Sequence, residues 1–419
     1  MILFLVALIP YFLIRIKNGK NKVLEVLLAA GYVAGSEVFL RMTKAYYLYE
    51  TGKYLVMFFI LVGLINSGFK RKAYPYIIFL LLLIPAVMVS FENISYDIDF
   101  RKTVLFNISG PLCLSFVAIY TYGKSLSYSD FLKVLNFVVY PIISMTIYII
   151  LYNPDLRDVI TNTAANAAAS GGYGPNQVST ALGLGIFILF SRLFIPYKTK
   201  LVNYLMMALL AVMTLRGILT FSRGGILTGV VMISIFTVFF FSFTNLKSKL
   251  KTGIKLIGVV GAIGLIWTLS LLQTGGLIEN RYTNKDSLGR EKVDISSGRE
   301  QIIVTELEAF FENPFLGVGI GIMKYVRLEK TGIKAATHNE ISRMLSEHGL
   351  FGIFALLILI IVPIINNPFG IKNIYFYPLL LFWLLTISHS SMRIAAPAFI
   401  YGLGLITIIH EKKDSVHRK

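Results

Sequence analysis

The sequence predicts an all-α polytopic membrane protein with about 12–13 transmembrane helices and one long extracytoplasmic loop that contains short helices. The chain of 419 residues is 56% hydrophobic and only 15% charged, with a mean hydropathy of +0.71. A soluble domain of this composition would have too few charged groups to cover its surface. The composition therefore excludes a soluble enzyme, a disordered protein and a secreted domain held by disulfides, since Cys113 is the sole cysteine.

Apolar runs that recur along the whole chain give the second reason for this fold class. A run of roughly 17–25 apolar residues spans a bilayer and must be helical there, because lipid offers no partner to backbone amides. The second run is unusual for a segment in lipid because it contains Glu25 and Glu37. We place the spans near 2–16, 23–40, 54–68, 74–91, 103–122, 134–152, 177–196, 201–220, 225–243, 254–273, 341–365, 373–388 and 393–410.

The distribution of charge gives the third reason. The chain has 40 Lys and Arg against 22 Asp and Glu, a net charge of +18, and the cytoplasmic loops of membrane proteins collect such cations, so no nucleic acid is implied. The loops near 17–22, 70–72, 198–200 and 247–251 and the tail after 411 all fall on one side if about 13 segments span. This side is predicted to be cytoplasmic. The chain is then one integral membrane domain over 1–419, with a large periplasmic or extracytoplasmic loop at 274–340 whose cations, such as Arg281 and Arg327, are expected to form a solvated surface.

Polar residues are concentrated at three places, the first of which is the stretch 215–225. An apolar helix is predicted to end there in Arg216 and Arg223, which are seven residues apart and can share one helix face. Both arginines can instead extend to lipid headgroups. Gly224 and Gly225 predict a break before the next helix and give a ligand access to the backbone near Arg223.

The second place is the stretch 296–300. Ser297 is predicted to cap a helix whose first turn contains Arg299, and Asn313-Pro314 is predicted to end that helix. A cation in the first turn of a helix is unfavourable, and a bound anion would remove the conflict. The alternative is an exposed arginine with no ligand.

The third place is the stretch 337–340, directly before a run that enters the membrane. A histidine such as His338, at the outer end of a transmembrane helix, titrates near neutrality and can act as a general base. The alternative is an interfacial histidine bonded to the backbone. His348 is expected to be structural.

Other signals are weak. The glycines of 317–321 follow no strand and have no Lys-Ser/Thr, so no nucleotide loop is implied. The histidines are too scattered for a metal site, and we expect neither a metal nor another cofactor.

Four motifs follow one another along the chain: Gly174-Pro175-Asn176-Gln177, Ser222-Arg223-Gly224-Gly225 with Leu227, Ser297-Gly298-Arg299 with the stretch 313–319, and His338-Asn339 with Gly349 and Gly352. Together they resemble the motifs of the O-antigen ligase and Wzy-type polysaccharide polymerase superfamily, which are membrane glycosyltransferases of the GT-C type. The last motif, His338-Asn339 followed by nine residues and Gly-x-x-Gly, fits the pattern of the family without departure. The resemblance covers a core region at about 174–352.

The resemblance implies an enzyme of the bacterial inner membrane that works on its periplasmic side. The donor would be a glycan on undecaprenyl diphosphate, and the acceptor either lipid A–core or another carrier-linked glycan. Membrane lipids are the other expected partners. Members of such a family are expected to have about twelve helices with both ends in the cytoplasm. Thirteen spans would put the N-terminus of this chain outside, so either it lies outside or one early segment does not span.

The resemblance also implies roles for individual residues. Guanidinium groups stabilise a diphosphate leaving group without a metal. His338 would take the proton of the acceptor hydroxyl in a single displacement that inverts the anomeric carbon, and no metal ligand is expected. Diphosphate binding is expected of Arg223, Arg299 and Arg216, and contacts to donor or acceptor of Asn176, Gln177, Asn339 and Glu340.

Two other functions remain open from the sequence. A polymerase that joins carrier-linked repeat units shares these motifs, because it discharges the same donor. A flippase or transporter for the same lipid-linked glycan would show inverted repeats and charged residues near the bilayer midplane. Neither feature is clear, and the predicted arginines and histidine lie at the outer surface.

Overall fold

The computed structural model describes residues 2–94, 99–152, 159–243, 246–292, 298–333, 335–367, 373–388 and 393–409. Over these ranges the chain forms a bundle of α-helices, nine of which are long and apolar enough to cross a membrane. The predicted all-α polytopic fold is confirmed.

The helices follow the order of the apolar runs. Before the long loop they are α1 Ile2–Asn18, α2 Lys22–Met42, α3 Thr51–Ser67, α4 Tyr74–Leu82, α5 Ile84–Asn93, α6 Phe100–Thr121, α7 Tyr128–Tyr152, α8 Pro175–Phe194, α9 Lys200–Leu219, α10 Arg223–Phe243 and α11 Leu246–Thr274. The loop holds α12 Leu277–Tyr282, α13 Arg299–Glu312 and α14 Met323–Thr331. After it come α15 Glu340–Asn366, α16 Phe376–Thr386 and α17 Ala395–Gly404. Two strands, β1 Ser125–Ser127 and β2 Thr407–Ile409, pair in parallel.

The two acidic residues of α2 are compatible with an apolar helix because both are paired. Glu25 lies 2.8 Å from Arg15 of α1, and Glu37 lies 2.6 Å from Arg41, one turn further along α2. At the opposite end of the same two helices, Leu5 and Leu40 pack in one buried cluster. Helices α1 and α2 are therefore antiparallel neighbours.

The bundle has two chemically different ends. The end that carries β1 and β2 also carries Lys70 and Lys124, and the Lys124 ammonium donates to the carbonyl of Ser67 at the end of α3. We call it the lysine end. The other end carries α12 to α14, and we call it the loop end. Helices α8 and α10 both start at the loop end, whereas α9 and α11 start at the lysine end.

Helices α8 and α10 approach each other closely through glycines. A Cβ on Gly225 would lie 2.2 Å from the carbonyl carbon of Ser179, and a Cβ on Gly183 would lie 2.1 Å from the carbonyl oxygen of Gly225. Gly224 and Gly225 lie inside α10, so the prediction of a helix break at these glycines is wrong. Gly225 permits contact with a neighbouring helix, and this contact fixes the position of the start of α10.

Candidate active site

The turn between α9 and α10 determines where the first two predicted arginines lie. Helix α9 ends at Leu219, and the buried Phe221 has a left-handed backbone, with φ of 57°, which reverses the chain before α10 begins at Arg223. The prediction that Arg216 and Arg223 share one helix face is wrong, because the helix ends between them. Arg216 is only 7% exposed in the last turn of α9.

Asn176 holds this turn in place. Its side-chain oxygen accepts a hydrogen bond of 2.8 Å from the Ser222 hydroxyl, which in turn accepts one of 2.8 Å from Ser179. The start of α8 is thus tied to the residue before Arg223. Asn176 acts here through Ser222 and orients the arginine.

Gln177 belongs to a different network. Its side-chain oxygen accepts a hydrogen bond of 2.9 Å from Arg41, which also donates to the carbonyl of Arg393 at 2.8 Å. The partner of Arg41, Glu37, accepts a bond from the backbone amide of Ala395 at the start of α17. The buried pair Glu37–Arg41 therefore positions Arg393.

Helix α12 brings a further arginine to Arg223. The Arg223 guanidinium donates to the side-chain oxygen of Asn284 at 2.6 Å and to the carbonyl of Arg281 at 3.3 Å. The Arg281 Nε donates to the carbonyl of Phe221 at 2.9 Å, so the two segments clasp each other. Burial lowers the pKa of Arg281, and the positive charges of Arg223 and Arg299 lower it further.

Arg299 is the first residue of α13. The residue before it, Gly298, occupies the cap position with φ of 77° and has no side chain that could accept a hydrogen bond. The predicted cap, Ser297, lies outside the described residues. The positive end of α13 and the Arg299 charge face the same region as Arg281. This combination is unfavourable in the absence of an anion.

His338 lies in the segment that precedes α15. Its imidazole is partly buried, and this burial, followed by the charges of Arg393, Arg299 and Arg327, lowers its pKa to about 4. The imidazole is therefore neutral at pH 7 and has a lone pair to accept a proton. Arg299 influences both His338 and Arg281, and it connects the histidine to the arginines around the α9–α10 turn.

Four arginines of this region have no carboxylate within 4.0 Å in the part of the chain that the structure describes: Arg223, Arg281, Arg299 and Arg393. Other arginines of the loop end are paired, for example Arg327 with Glu306 at 2.6 Å. Over the described ranges, no three His, Cys, Asp or Glu side chains come together in a way that could hold a metal ion. The arrangement can bind an anion through guanidinium groups.

A buried network fixes the segment that contains His338. Glu306 of α13 accepts hydrogen bonds from Thr337, Ser342 and Arg327, and Arg393 donates to the carbonyl of Thr337. Arg327 is only 1% exposed, so its expected place on a solvated surface is wrong. The sequence shows no partner for Arg327, because Glu306 lies 21 residues away on another helix.

The two residues after His338 have local bonds. The Asn339 side chain accepts from the amide of Ile341 and caps α15, while the buried Glu340 accepts two bonds from Arg343. Arg343 also pairs with Glu347 at 2.8 Å. These bonds hold the start of α15 and thereby the position of His338.

The glycines of the last motif shape α15. Gly349 has φ of 59° and kinks the helix, and a Cβ on Gly352 would lie 1.9 Å from the carbonyl oxygen of Met344. The kink frees the carbonyls of Ser346 and Glu347, which accept bonds of 2.9 and 3.2 Å from the amides of Val318 and Gly319. The spacing of these glycines thus reflects a kink and the chain that packs into it. His348 is buried at this kink.

A cavity of about 160 Å³ adjoins the His338 segment. Its wall includes Thr337, Glu340, Arg393, Lys324 and Asn107, whereas the His338 side chain is not part of it. Polar and charged side chains border it, and two of its cations, Arg393 and Lys324, have no carboxylate within 4.0 Å among the described residues. It offers space for a polar group beside Thr337.

The structure brings together Arg223, Arg299 and His338 of the predicted residues, and adds Arg281 and Arg393. Arg216 is not among the charges that act on His338. Arg281 was indistinguishable in the sequence from the other loop cations. The signal for Arg393 was its place at the beginning of a predicted apolar span, where a cation lies at one membrane surface.

Comparison with known proteins finds a family that matches part of the chain. Residues 206–357 match the model of the family described as O-antigen ligase, and this range contains Arg223, Arg281, Arg299 and His338. No curated protein matches the chain. The family match covers about a third of the chain, and the described part of the chain has nine helices long and apolar enough to cross a membrane. The resemblance carried by the sequence motifs is therefore confirmed: over residues 206–357 the chain has the domain of the O-antigen ligase family.

Proposed function

We propose that the protein transfers a glycan from undecaprenyl diphosphate to a sugar hydroxyl, as an O-antigen ligase does. The observation that supports this function is the set of Arg223, Arg281 and Arg299, which have no carboxylate partner in the described part of the chain. Arg299 joins this set to His338, because its charge acts on both Arg281 and the histidine. A diphosphate supplies the negative charge that this set lacks.

The arginines act on the leaving group. Cleavage of the bond between the anomeric carbon and the diphosphate leaves an electron pair on the departing oxygen, and guanidinium groups stabilise that charge. Arg223 is held by Asn284 and by the carbonyl of Arg281, so its orientation is set before the donor binds. The amides at the start of α13 add to the same field.

His338 acts on the acceptor. Its imidazole takes the proton of the acceptor hydroxyl as the oxygen forms a bond to the anomeric carbon on the side opposite the diphosphate, so the configuration inverts. A pKa of about 4 in the free enzyme keeps the imidazole neutral but makes it a weak base. The bound diphosphate offsets the charge of Arg299 and raises the pKa of His338 toward its usual range.

The sidedness of the site follows from the two ends of the bundle. The lysine end carries the loops that the positive-inside rule assigns to the cytoplasm, and the site lies at the loop end. The proposed core region, 174–352, and the proposed large loop, 274–340, would then present the site to the periplasm. The protein would reside in the bacterial inner membrane, where donor and acceptor both meet its outer surface.

The acceptor distinguishes a ligase from a polymerase. Lipid A–core as acceptor makes the enzyme a ligase, and a second carrier-linked glycan makes it a polymerase. Both reactions use the same leaving-group chemistry at Arg223, Arg281 and Arg299. We favour the ligase because the spacing from His338 to Gly349 and Gly352 fits the pattern of that branch without departure.

Complementation tests this proposal. The chain is expressed in strains that lack either the ligase or the polymerase, and the polysaccharide ladder is read on a gel. Restored attachment to lipid A–core supports a ligase, whereas restored chain length on the carrier supports a polymerase. Restoration by His338→Ala to the level of the unsubstituted chain would contradict the role of the histidine. Inserted protein that restores neither product, with carrier-linked glycan moved across the membrane, would support a transporter.

A further inference from the structure

A second cationic site lies at the lysine end, opposite the candidate active site. Arg192 is in the last turn of α8, is only 8% exposed, and forms no ion pair within the described ranges. Its Nε and Nη1 are buried and have no hydrogen-bond partner. Its guanidinium stacks on Tyr197, with Cζ 4.1 Å from the ring centre. A side-chain hydrogen bond joins Arg192 to Tyr197, but it leaves these two nitrogens without an acceptor. Buried donors of a cation without acceptors are costly, which indicates that a ligand supplies the acceptors.

Two cavities meet at Arg192. The first is an apolar groove of about 680 Å³ between α8, α9, α10 and α11, which begins near Lys200 and Lys255 and reaches Ile218. The distance along α9 from Lys200 to Ile218 is about 27 Å, close to the roughly 30 Å of a hydrocarbon core. The groove is thus long and deep enough for an extended hydrocarbon chain.

The second cavity has a volume of about 510 Å³, and polar and charged side chains border part of it; we call it the polar cavity. Its wall includes Ser129, Lys133, Asn136 and Lys198, in addition to Arg192. Hydroxyl, amide and ammonium groups of this kind bind the hydroxyls and phosphate of a polar headgroup. One arginine therefore separates a place for a hydrocarbon chain from a place for a polar headgroup.

The segment between α8 and α9 is held firmly at this point. Asn203 accepts a bond of 2.7 Å from the amide of Tyr197 and donates one of 3.0 Å to its carbonyl. The Tyr197 hydroxyl donates to Asn136 at 2.8 Å, and Lys255 of α11 donates to the carbonyl of Leu193 at 2.8 Å. Both cavities are therefore bounded by residues with fixed positions.

We propose that this site binds an anionic phospholipid with a glycerol headgroup, phosphatidylglycerol in type, from the leaflet at the lysine end. Its phosphate lies on Arg192 between Lys200 and Lys255, one acyl chain lies in the apolar groove, and the glycerol occupies the polar cavity. Charge complementarity selects this occupant, because the lysine end is the predicted cytoplasmic end and anionic lipids of that leaflet attract basic residues. The diphosphate of the glycan donor binds at the other end of the bundle, so this site is independent of the proposed reaction.

Lipid binding to the purified, delipidated full chain tests the proposal. Phosphatidylglycerol and phosphatidylcholine with the same acyl chains are titrated separately, and the bound lipids are counted by native mass spectrometry. We expect one phosphatidylglycerol to bind at least about tenfold more tightly than phosphatidylcholine. Arg192→Gln should remove this preference, because it removes the buried charge.

Matched variants separate binding from folding. Lys200 and Lys255 are exposed, so Lys200→Gln with Lys255→Gln should leave the fold intact and weaken phosphatidylglycerol binding about fivefold or more. Lys72→Gln changes an exposed lysine of the same end outside both cavities and should have no effect.

Three results would overturn the proposal. Equal binding of the two lipids would show that the headgroup charge does not matter. If the Lys200 and Lys255 double variant and Arg192→Gln both keep the preference for phosphatidylglycerol over phosphatidylcholine, the lipid binds elsewhere. Tighter Arg192-dependent binding of undecaprenyl phosphate, or full displacement of phosphatidylglycerol by inorganic phosphate, would assign the site to the carrier or to a soluble anion.

Discussion

The substitution Gly225→Ala tests the closest helix contact beneath the candidate site. The added methyl would lie 2.2 Å from the Ser179 carbonyl carbon and 2.3 Å from its oxygen, whereas ordinary contacts begin near 3.4 Å. Helices α8 and α10 would therefore have to separate by about 1.2 Å. Since the opposing atoms belong to the backbone of α8, no side-chain rotation relieves the clash.

The expected effect on stability can be estimated. Overpacking in a rigid interior costs about 1–3 kcal/mol, while Ala in place of Gly within a helix returns roughly 0.5–1 kcal/mol. The net loss should therefore fall in the upper half of a range of about 0–2.5 kcal/mol. Each kcal/mol lowers the melting temperature of a large domain by roughly 2 °C. Parting of the helices also disturbs the bond from Ser222 to Asn176, so transfer activity should fall as well.

The assay is thermal unfolding of the protein in detergent, with transfer activity measured on the same preparation. Gly261→Ala is the matched control, because a Cβ on Gly261 of α11 meets no atom within 4 Å. It should melt at the same temperature as the unsubstituted chain or slightly above it. If Gly225→Ala also melts there and keeps its activity, the glycine is not needed for packing, and access of a ligand to the backbone becomes the better explanation.

Four further predictions concern the chemistry of the site. Substitution by Gln at Arg223, Arg281 or Arg299 should lower transfer about 10²–10³-fold. Arg299→Gln should leave the melting temperature unchanged, whereas the other two should lower it because they remove hydrogen bonds that hold the α9–α10 turn. The control Arg290→Gln, at an arginine that is 73% exposed, should be fully active. His338→Ala should lower transfer about 10²–10⁴-fold. His348→Ala, at a buried histidine, should lower stability and leave the turnover of the folded fraction nearly unchanged. Equal loss of turnover in both variants would show that the base is misassigned. Because the pKa of His338 is about 4, the transfer rate at low donor concentration should persist below pH 6.5 and fall near pH 4. Arg393→Gln removes a cation that acts on the histidine and should therefore move this fall in rate to a higher pH. Treatment with a chelator should leave transfer unchanged, and a strong loss that added metal restores would contradict the metal-free mechanism.

The same pKa links His338 to stability. The folded protein holds the imidazole below its ordinary pKa of 6.5, so the unfolded chain binds more protons between pH 6.5 and about pH 4. The contribution of His338 to folding is therefore fully present above pH 6.5 and declines as the pH falls through this window. Arg393→Gln should raise the lower limit of this pH range, because it removes a cation that lowers the pKa of His338 in the folded protein.

The helices were predictable because the requirement that produces them is local. An apolar run in lipid has to satisfy its own backbone amides, and its length and hydropathy are visible in the sequence. Even the acidic α2 followed this rule, since Glu25 and Glu37 found partners in Arg15 and Arg41.

The turn between α9 and α10 was not predictable in the same way. The sequence placed the break between the two helices at Gly224 and Gly225, after Arg223. The chain instead reverses before Arg223, where the left-handed backbone of Phe221 separates Arg216 from Arg223. The packing of Gly225 against Ser179 was hidden as well, because the sequence does not show which helices are neighbours.

The motifs of the sequence led to Arg223, Arg299 and His338, and the structure brings all three to the loop end. Arg281 could not be selected, because nothing near it in the sequence distinguishes a cation in a site from a cation on a surface. For Arg393 the sequence showed only that it begins a predicted apolar span, which does not show what it contacts. Only the folded chain shows that Arg393 is held by Arg41 and by Thr337 next to the histidine.

Transfer by the purified protein in proteoliposomes tests the central claim most directly. A carrier-linked glycan and an acceptor are supplied on the side of the loop end, and both the glycosylated acceptor and the undecaprenyl diphosphate are measured. The proposed reaction predicts equal amounts of the two products, and at least about 100-fold slower formation of both with His338→Ala or Arg299→Gln. Movement of intact carrier-linked glycan across the bilayer, without release of the diphosphate, would contradict the account.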